Sequence, residues 1–496
     1  MKQKLSAIYL SLILILAVLI VLNILFTRHF IRFDFTKDHE YTLSKATKTI
    51  LSQLDAPVTI MVYFSKKVPS NLAIIRRQLI STLEDFKAYS HGKIVFKVLD
   101  PNKSQDIENQ AMRDGIAPIL VEVREKDQAK QQKAYMGLVV KYKDRKDVIQ
   151  YIPPNSSLEY LLAKSIKKVT TQQKPVVGIL QGFGTPPGPK MQAFIDELSS
   201  LYDVRLFNFD STRYDLDKYK VIAIISPKEQ LPDKLFVFLD KYLANGGRLF
   251  IADDAVVGHL NANPPMGNSN PTGIEKWLKK YGITIRQSFI IDNRCANIQI
   301  QQPNFPMPIS VPFPYFPIIS NFANHPITKG LEAVIMSFAS PIEYKDTNGI
   351  KFQPLAYTSK LTGLEPPPVF FATFKKWTKA DFPYHNLIVG LLAQSKTWKM
   401  IVFGDGDFLQ FPRGERFQHS DNVSLAANSI DYLADDMGLM SLRTKGISYK
   451  PLKQLNDTTK AFIKYTNFLL PIILVILLGL FKAHLNNKKR KKLKNS

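Results

Sequence analysis

Val221-Ile222-Ala223-Ile224-Ile225-Ser226, a helical stretch Pro232–Ala244 and then Arg248-Leu249-Phe250-Ile251-Ala252 read as one strand–helix–strand unit. Both short runs are apolar at nearly every position, as in strands covered on both faces. The rhythm begins earlier, with Val176–Gln181, a helix from Pro189 to Leu201, and Val204–Phe209. It resumes with strands near Val334–Phe338 and Leu387–Leu392, then Met400–Phe403 running into Gly404-Asp405-Gly406-Asp407-Phe408. A helix over Asn422–Ala434 sets Leu425, Ala426, Ile430 and Leu433 on one face. Such alternation predicts right-handed crossovers and a parallel sheet with helices on both faces. Two irregular passages interrupt it. Asn261–Pro271 is rich in Pro and Asn, and Pro303–Pro317 carries six prolines among Phe and Tyr, which predicts an extended surface loop.

Upstream, across the polar linker Thr170–Lys174, a smaller α/β domain is expected. Ser44 is a candidate N-cap for a helix to Leu54, and Pro57–Phe64 alternates as a strand. Leu72–Tyr89 has helical spacing, Ile94–Leu99 is a strand, Ser104–Asp114 a short helix and Pro118–Val123 a third strand. Tyr135–Tyr142 and Asp147–Ile152 pair as a hairpin, and Ser156–Val169 closes with a helix. The order β-α-β-α-β-β-α is that of a thioredoxin-like domain, with Gly115-Ile116-Ala117-Pro118 in the place of a cis-proline entry. The redox position after the first strand reads Ser65-Lys66-Lys67-Val68, so thiol–disulfide exchange is excluded.

The ends of the chain are apolar. Leu5–Phe26 is long enough to cross a bilayer and lacks a small-x-small cleavage site, which predicts an uncleaved anchor. A second span is expected over residues 462–482, with Pro471 inside it. Seven Lys/Arg between Lys482 and Lys494 follow, and they place the carboxyl end in the cytoplasm. Two spans put both termini there, in a bacterial inner membrane, with the large middle region periplasmic. The 496 residues carry a net charge of +24, so the exported region is basic and favours lipid head groups or an anionic envelope partner over nucleic acid. A single cysteine, Cys295, rules out an internal disulfide, a Cys-rich zinc site and a C-x-x-C pair, and lacking an elbow or a nearby His it reads as a buried structural thiol. His259, His325, His385 and His419 are scattered and read as locally satisfied.

In parallel sheets, ligands gather at the carboxyl ends of strands. Four such ends stand out: Gln181-Gly182-Phe183-Gly184, Ser226-Pro227, Asp253-Asp254 and Asp405-Gly406-Asp407. Converged, Gly182, Gly184, Asp253, Asp254, Asp405 and Asp407 would form an acidic crevice able to take a cation or sugar hydroxyls. Otherwise the aspartates cap helices and tighten turns. The segment from Gly182 to Lys190 follows a strand as a phosphate loop does, but its three prolines remove the N–H groups that would cradle a phosphate. No G-x-S-x-G elbow and no H-E-x-x-H zinc motif occurs. No catalytic residue, metal or cofactor is expected.

Arg32-Phe33-Asp34-Phe35-Thr36 with Tyr41-Thr42-Leu43-Ser44 after an amino-terminal span resembles the GldG family, the gliding-motility-associated auxiliary (nominally substrate-binding) component of an ABC transporter in Bacteroidetes. His325-Pro326-Ile327-Thr328-Lys329-Gly330-Leu331, Gly404–Phe408, Asn422 and Asn428 are similar to the wider family, and the likeness spans nearly the whole chain. It implies a membrane permease and a cytoplasmic ATPase as partners, and a second domain like class I glutamine amidotransferases. Those enzymes place a nucleophilic Cys at a strand-to-helix elbow, whereas the comparable exit here reads Ala252-Asp253-Asp254-Ala255. The expected division is an anchor at 1–27, a thioredoxin-like domain at 28–170, an amidotransferase-like domain at 175–442, a linker at 443–461, a membrane helix at 462–482 and a basic tail at 483–496. The expected function is a non-catalytic auxiliary subunit of an ABC transporter, linked to gliding or envelope export. The alternatives are an envelope scaffold acting through the Pro303–Pro317 loop and the basic surface, or a metal-dependent hydrolase.

Overall fold

The computed structural model describes residues 42–443, apart from 126–127, 155, 211–215, 302–306, 348, 373 and 411–419, together with residues 14, 17, 18 and 457–494. Most of the expected anchor Leu5–Phe26 and the Arg32–Thr36 motif lie outside these residues, as does His419. The chain divides into a compact α/β unit and a carboxyl-terminal helix, Asp457–Lys494. Within that helix Lys464–His484 is long and apolar enough to cross a membrane, the one such stretch among the described residues, and it contains Pro471.

The α/β unit begins with a four-stranded sheet. Its strands β1 (Val58–Phe64), β2 (Ile94–Leu99), β3 (Met136–Tyr142) and β4 (Arg145–Ile149) lie in the order β2-β1-β3-β4, with only β1 and β2 parallel. Strand β1 shows why this sequence makes a sheet covered on both faces. Val58, Ile60, Val62 and Phe64 meet helices α1 (Lys45–Ser52), α2 (Ser70–Tyr89) and α4 (Leu158–Thr170), while Tyr63 joins Ala111 of helix α3 (Gln105–Asp114) on the opposite face. The expected third strand is displaced. Ile119–Glu125 pairs with Gln128–Ala134 as a separate hairpin outside the sheet. The cis-proline expectation also fails: the cis peptides among the described residues are Asn263–Pro264 and Pro367–Pro368, and Gly115 instead ends α3 at φ +95.

Of the Tyr41–Ser44 motif, Tyr41 lies outside the described residues, and Ser44 has a structural task. Ser44 caps α1 through Thr47 N–H at 3.1 Å, and the buried Glu159 carboxylate accepts from both Ser44 N and Thr47 Oγ1 at 2.7 Å. One carboxylate from α4 thus fixes the entry of the chain into the domain.

Eight strands form the second sheet. Strands β5 (Val176–Gln181), β6 (Asp203–Asn208), β7 (Val221–Ile225), β8 (Arg248–Ala252), β9 (Asn321–Phe322), β10 (Lys351–Tyr357), β11 (Ile388–Gln394) and β12 (Lys399–Phe403) lie in the order β9-β10-β11-β12-β8-β7-β5-β6. The five from β12 to β6 are parallel, as expected. The other three are antiparallel, which corrects the all-parallel expectation. The reason is connection length: β11 and β12 are separated by the turn at Ser395–Trp398, too short for a parallel crossover. Helices α5 (Gln192–Ser199), α6 (Asp233–Ala244) and α7 (Ser420–Ala434) cover the faces.

Between β8 and β12 the chain builds a lobe of short antiparallel pairs around Phe289, Phe313, Tyr315, Phe338 and Phe371. Of the Pro303–Pro317 expectation, residues 303–306 lie outside the described residues, and the part from Ile309 on fails. Ile309–Ile319 is a strand paired with Cys295–Ile300, and Phe313 and Tyr315 are only 2% and 3% exposed. Prolines give up N–H donors but keep their carbonyls, and the carbonyls of Tyr315 and Pro317 accept from Phe338 and Met336. The segment Asn261–Pro271 likewise contains a strand, Met266–Ser269, paired with Val256–His259.

The chain then returns to the first sheet. Leu439, Met440 and Leu442 complete the core of α1, α2 and α4, and Lys164 of α4 pairs with Asp431 of α7 at 3.0 Å. The two sheets therefore share apolar and ionic contacts. Glu159→Ala is expected to lower the stability of the full-length protein in detergent by about 2–4 kcal/mol, because two donors lose a charged acceptor, and Glu159→Gln by less. Thermal unfolding of the three proteins checks this order.

Candidate functional site

Strands β12, β8 and β7 are neighbours, so the residues just past their carboxyl ends meet. Strand β7 delivers Ser226 and then Lys228, β8 delivers Asp254, and β12 delivers Asp405 and Asp407. The three carboxylates offer oxygens all within 4.8 Å of one another. The backbones approach equally closely. A Cβ on Gly406 would lie 2.5 Å from Ala252 O and 2.6 Å from Ser226 N, so only glycine fits there.

Lys228 organises the cluster. Its Nζ lies 2.6 Å from Asp254 Oδ2 and 3.0 Å from Asp407 Oδ1, and these partners hold its pKa above the ordinary value in spite of burial. The turn after β5 positions it: Phe183 O accepts from Lys228 N and Glu229 N, both at 3.0 Å. Gly184, at φ +71, would place a Cβ 2.8 Å from Lys228 Cβ, so glycine lets the turn close on the lysine. Gly182 and Gly184 thus support the site through backbone.

The other polar atoms are largely spoken for. Asp254 Oδ1 accepts from Gly406 N at 2.5 Å, and Asp405 accepts from Ser337 N at 2.7 Å and Asp407 N at 2.8 Å. Ser226 Oγ lies 2.6 Å from Asp254 Oδ2 and 2.8 Å from Asp407 Oδ1, and Gln410 donates to it at 3.2 Å. A hydroxyl has one hydrogen, so both short Ser226 contacts are hydrogen bonds only when one carboxyl carries a proton. Burial, with Asp254 beside it, raises the Asp407 pKa to about 6. Burial and the neighbouring Asp254 and Asp407 raise that of Asp405 well above the ordinary range.

Asp253 stands apart. Its Oδ1 accepts from Thr272 Oγ1 at 3.2 Å, its Oδ2 is buried without a partner, and burial raises its pKa strongly. Successive residues leave an extended chain on opposite sides, so Asp253 and Asp254 cannot both face the cluster.

Chemically, the arrangement is closed. Ser226 has the positive φ, +48, of a residue at a tight strand exit, but it is 0% exposed and its hydroxyl is tied on three sides. Lys228 is held charged and so is no base. A divalent cation between the carboxylates would have to displace the ammonium already there. Elsewhere, Cys295 is half-buried with its pKa raised by burial, His259 and His385 are exposed, and buried His325 accepts from Ile327 N with burial lowering its pKa to about 4. Asn428 Nδ2 donates to Ile327 O at 3.0 Å, and Asn422 bonds the backbone of Ile335 and Phe408. These motif residues are braces.

Residues 174–433, more than half of the chain, match the family described as an ABC-type uncharacterized transport system. The chain belongs to that family. Membership supports an auxiliary, non-catalytic part in a transport system. Residues 37–141 of this auxiliary component match a domain of unknown function. An uncharacterized protein of Borreliella burgdorferi is 26% identical over 351 residues, which is 66% of this chain and 65% of that protein. Among solved structures, the mmIFT52 N-terminal domain is similar at 14% identity and a TM-score of 0.36, over 52% of this chain and 96% of that one. PurLQS from Thermotoga maritima is similar at 13% identity and a TM-score of 0.27, over 53% of this chain and 100% of that one.

Asp407 gives the cluster a pH signature. Between about pH 4 and 6 the folded protein holds a proton on Asp407 that the unfolded chain has released, and this stabilisation is lost as pH rises through 6. Relative to Asp407→Asn, the natural protein should therefore gain about 2 kcal/mol of stability on going from about pH 7.5 to 4.5. Paired thermal melts at the two pH values check the sign.

Proposed function

We propose that this protein is a non-catalytic, membrane-anchored auxiliary subunit of an ABC transport complex, assembled with a membrane permease and a cytoplasmic ATPase. The carboxyl-terminal span and the basic tail support a topology with both termini cytoplasmic and the α/β unit in the periplasm. One observation carries the non-catalytic part: the strand ends where chemistry would stand are filled by the protein's own Lys228, bonded to Asp254 and Asp407. The two sheets would then serve as rigid contact surfaces, the first a thioredoxin-like shape without thiols and the second an amidotransferase-like shape without a nucleophile. Gliding motility, as in the GldG resemblance, is the particular setting we infer.

The same observation weighs against the metal-dependent hydrolase, since a metal would compete with a bonded ammonium. The scaffold reading loses its loop, because Ile309–Ile319 is a buried strand whose removal would empty the aromatic core. Purification of the full-length chain from detergent-solubilised membranes, with mass spectrometry of what accompanies it, tests the proposal. A permease and an ATPase at near-equal amounts are expected. Finding neither, in detergents that preserve other ABC complexes, would overturn it.

A further inference from the structure

At the amino-terminal edge of the parallel strands, opposite the acidic cluster, lies an open groove of about 800 Å³. Its wall is formed by the interdomain linker (Lys174, Pro175), the approach to β7 (Lys218, Tyr219, Lys220) and the start of β8 (Arg248). A groove of this size accommodates a small organic ligand. The four cations Lys174, Lys218, Lys220 and Arg248 outnumber the one acid among the lining residues, Asp217. Lys220 is also paired with Asp436 outside the lining, and Lys218 and Asp217 have partners of their own.

Three observations go beyond a basic surface. Arg248 is anchored, its Nη1 donating to the carbonyls of Gly246, Gly247 and Thr397, yet its Nε is buried with no partner. A buried donor without an acceptor is uncommon, and it leaves the guanidinium charge at the groove's wall less compensated. Positive charge is crowded at this edge: Lys399, in register with Arg248 on β12, has its pKa lowered by burial first and then by Arg248. Tyr219 and Tyr242 add apolar wall beside the cations, which suits a ligand with both anionic and apolar parts. Lys174 donates to Ser199 O, and an ammonium with three hydrogens keeps donors for a ligand.

We propose that this groove binds a phosphate-bearing ligand, a free phosphate ester or the head group of an anionic lipid, with Arg248 at its floor and Lys174 and Lys218 closing over it. The site lies at the opposite end of the sheet from the Lys228 cluster and does not depend on the transporter reading. Its position against the linker makes it a place where a ligand touches the junction between the two sheets.

The test uses the full-length protein in neutral detergent. Calorimetric titration is run with inorganic pyrophosphate, and separately with neutral bicelles with and without phosphatidylglycerol. Three proteins are compared: the natural chain, Lys174→Gln/Lys218→Gln, and a control, Lys45→Gln/Lys276→Gln, that removes the same charge at exposed positions elsewhere. Saturable binding is expected, weakened about tenfold by the groove pair and less than about twofold by the control. Pyrophosphate binding assigns a free phosphate ester, and binding confined to phosphatidylglycerol assigns the lipid; either supports the site. Saturable binding of neither, or equal weakening by both pairs, would overturn it. The groove lysines are exposed, so the variants should melt as the natural protein does, and a retained melt with lost binding is decisive.

Discussion

A lysine ammonium held between the buried Asp254 and the partly buried Asp407 carboxylates is the constraint around which the larger sheet closes. Two neighbouring parallel strands, β8 and β12, deliver acidic residues to one place and a third, β7, delivers the lysine, and backbone contacts as close as those at Gly406 leave no room for the ends to spread. Carboxylates this near cannot all ionise without compensation, because removing them from water costs several kcal/mol each and their mutual repulsion adds to it. Lys228 supplies the opposite charge. The proton that Asp407 binds near pH 6 supplies the rest. The pair thus joins β7, β8 and β12 at their carboxyl ends.

Much of this was visible in the sequence. The apolar runs at β5, β7, β8 and β12 set a parallel sheet, and the glycine- and aspartate-bearing exits of those strands do converge. Lys228 was not singled out, since one lysine two residues past a strand is indistinguishable from a solvated one until its neighbours are known. Asp253 and Asp254 looked equivalent, yet the alternation of an extended chain sends them to opposite sides. The outer half of the sheet was also hidden, because antiparallel pairing at β9, β10 and β11 depends on short connections and not on composition. The proline-rich segment misled most: its prolines signal a loop, yet from Ile309 on it pairs as a strand whose Phe313 and Tyr315 side chains are buried.

The motifs that carry the family resemblance mostly act by holding backbone. Ser44 with Glu159 fixes the first helix, and His325, Asn422 and Asn428 bind the lobe to α7. These motif residues therefore hold backbone more than they build a reactive centre, and the two sheets are joined through Lys164–Asp431 and the return of Leu439–Leu442. A rigid two-sheet body of basic charge, followed by an apolar helix and a basic tail, suits a subunit whose task is contact.

The most direct test of a closed, charge-balanced cluster is the thermal stability of Lys228→Met beside Lys228→Met/Asp254→Asn/Asp407→Asn, in the full-length protein in detergent. Stranding the buried Asp254 and the partly buried Asp407 carboxyls should lower stability by about 2–4 kcal/mol in the single variant, and removing their charges should restore most of it. A single variant within about 1 kcal/mol of the natural protein, or a triple variant no better than the single, would contradict the account.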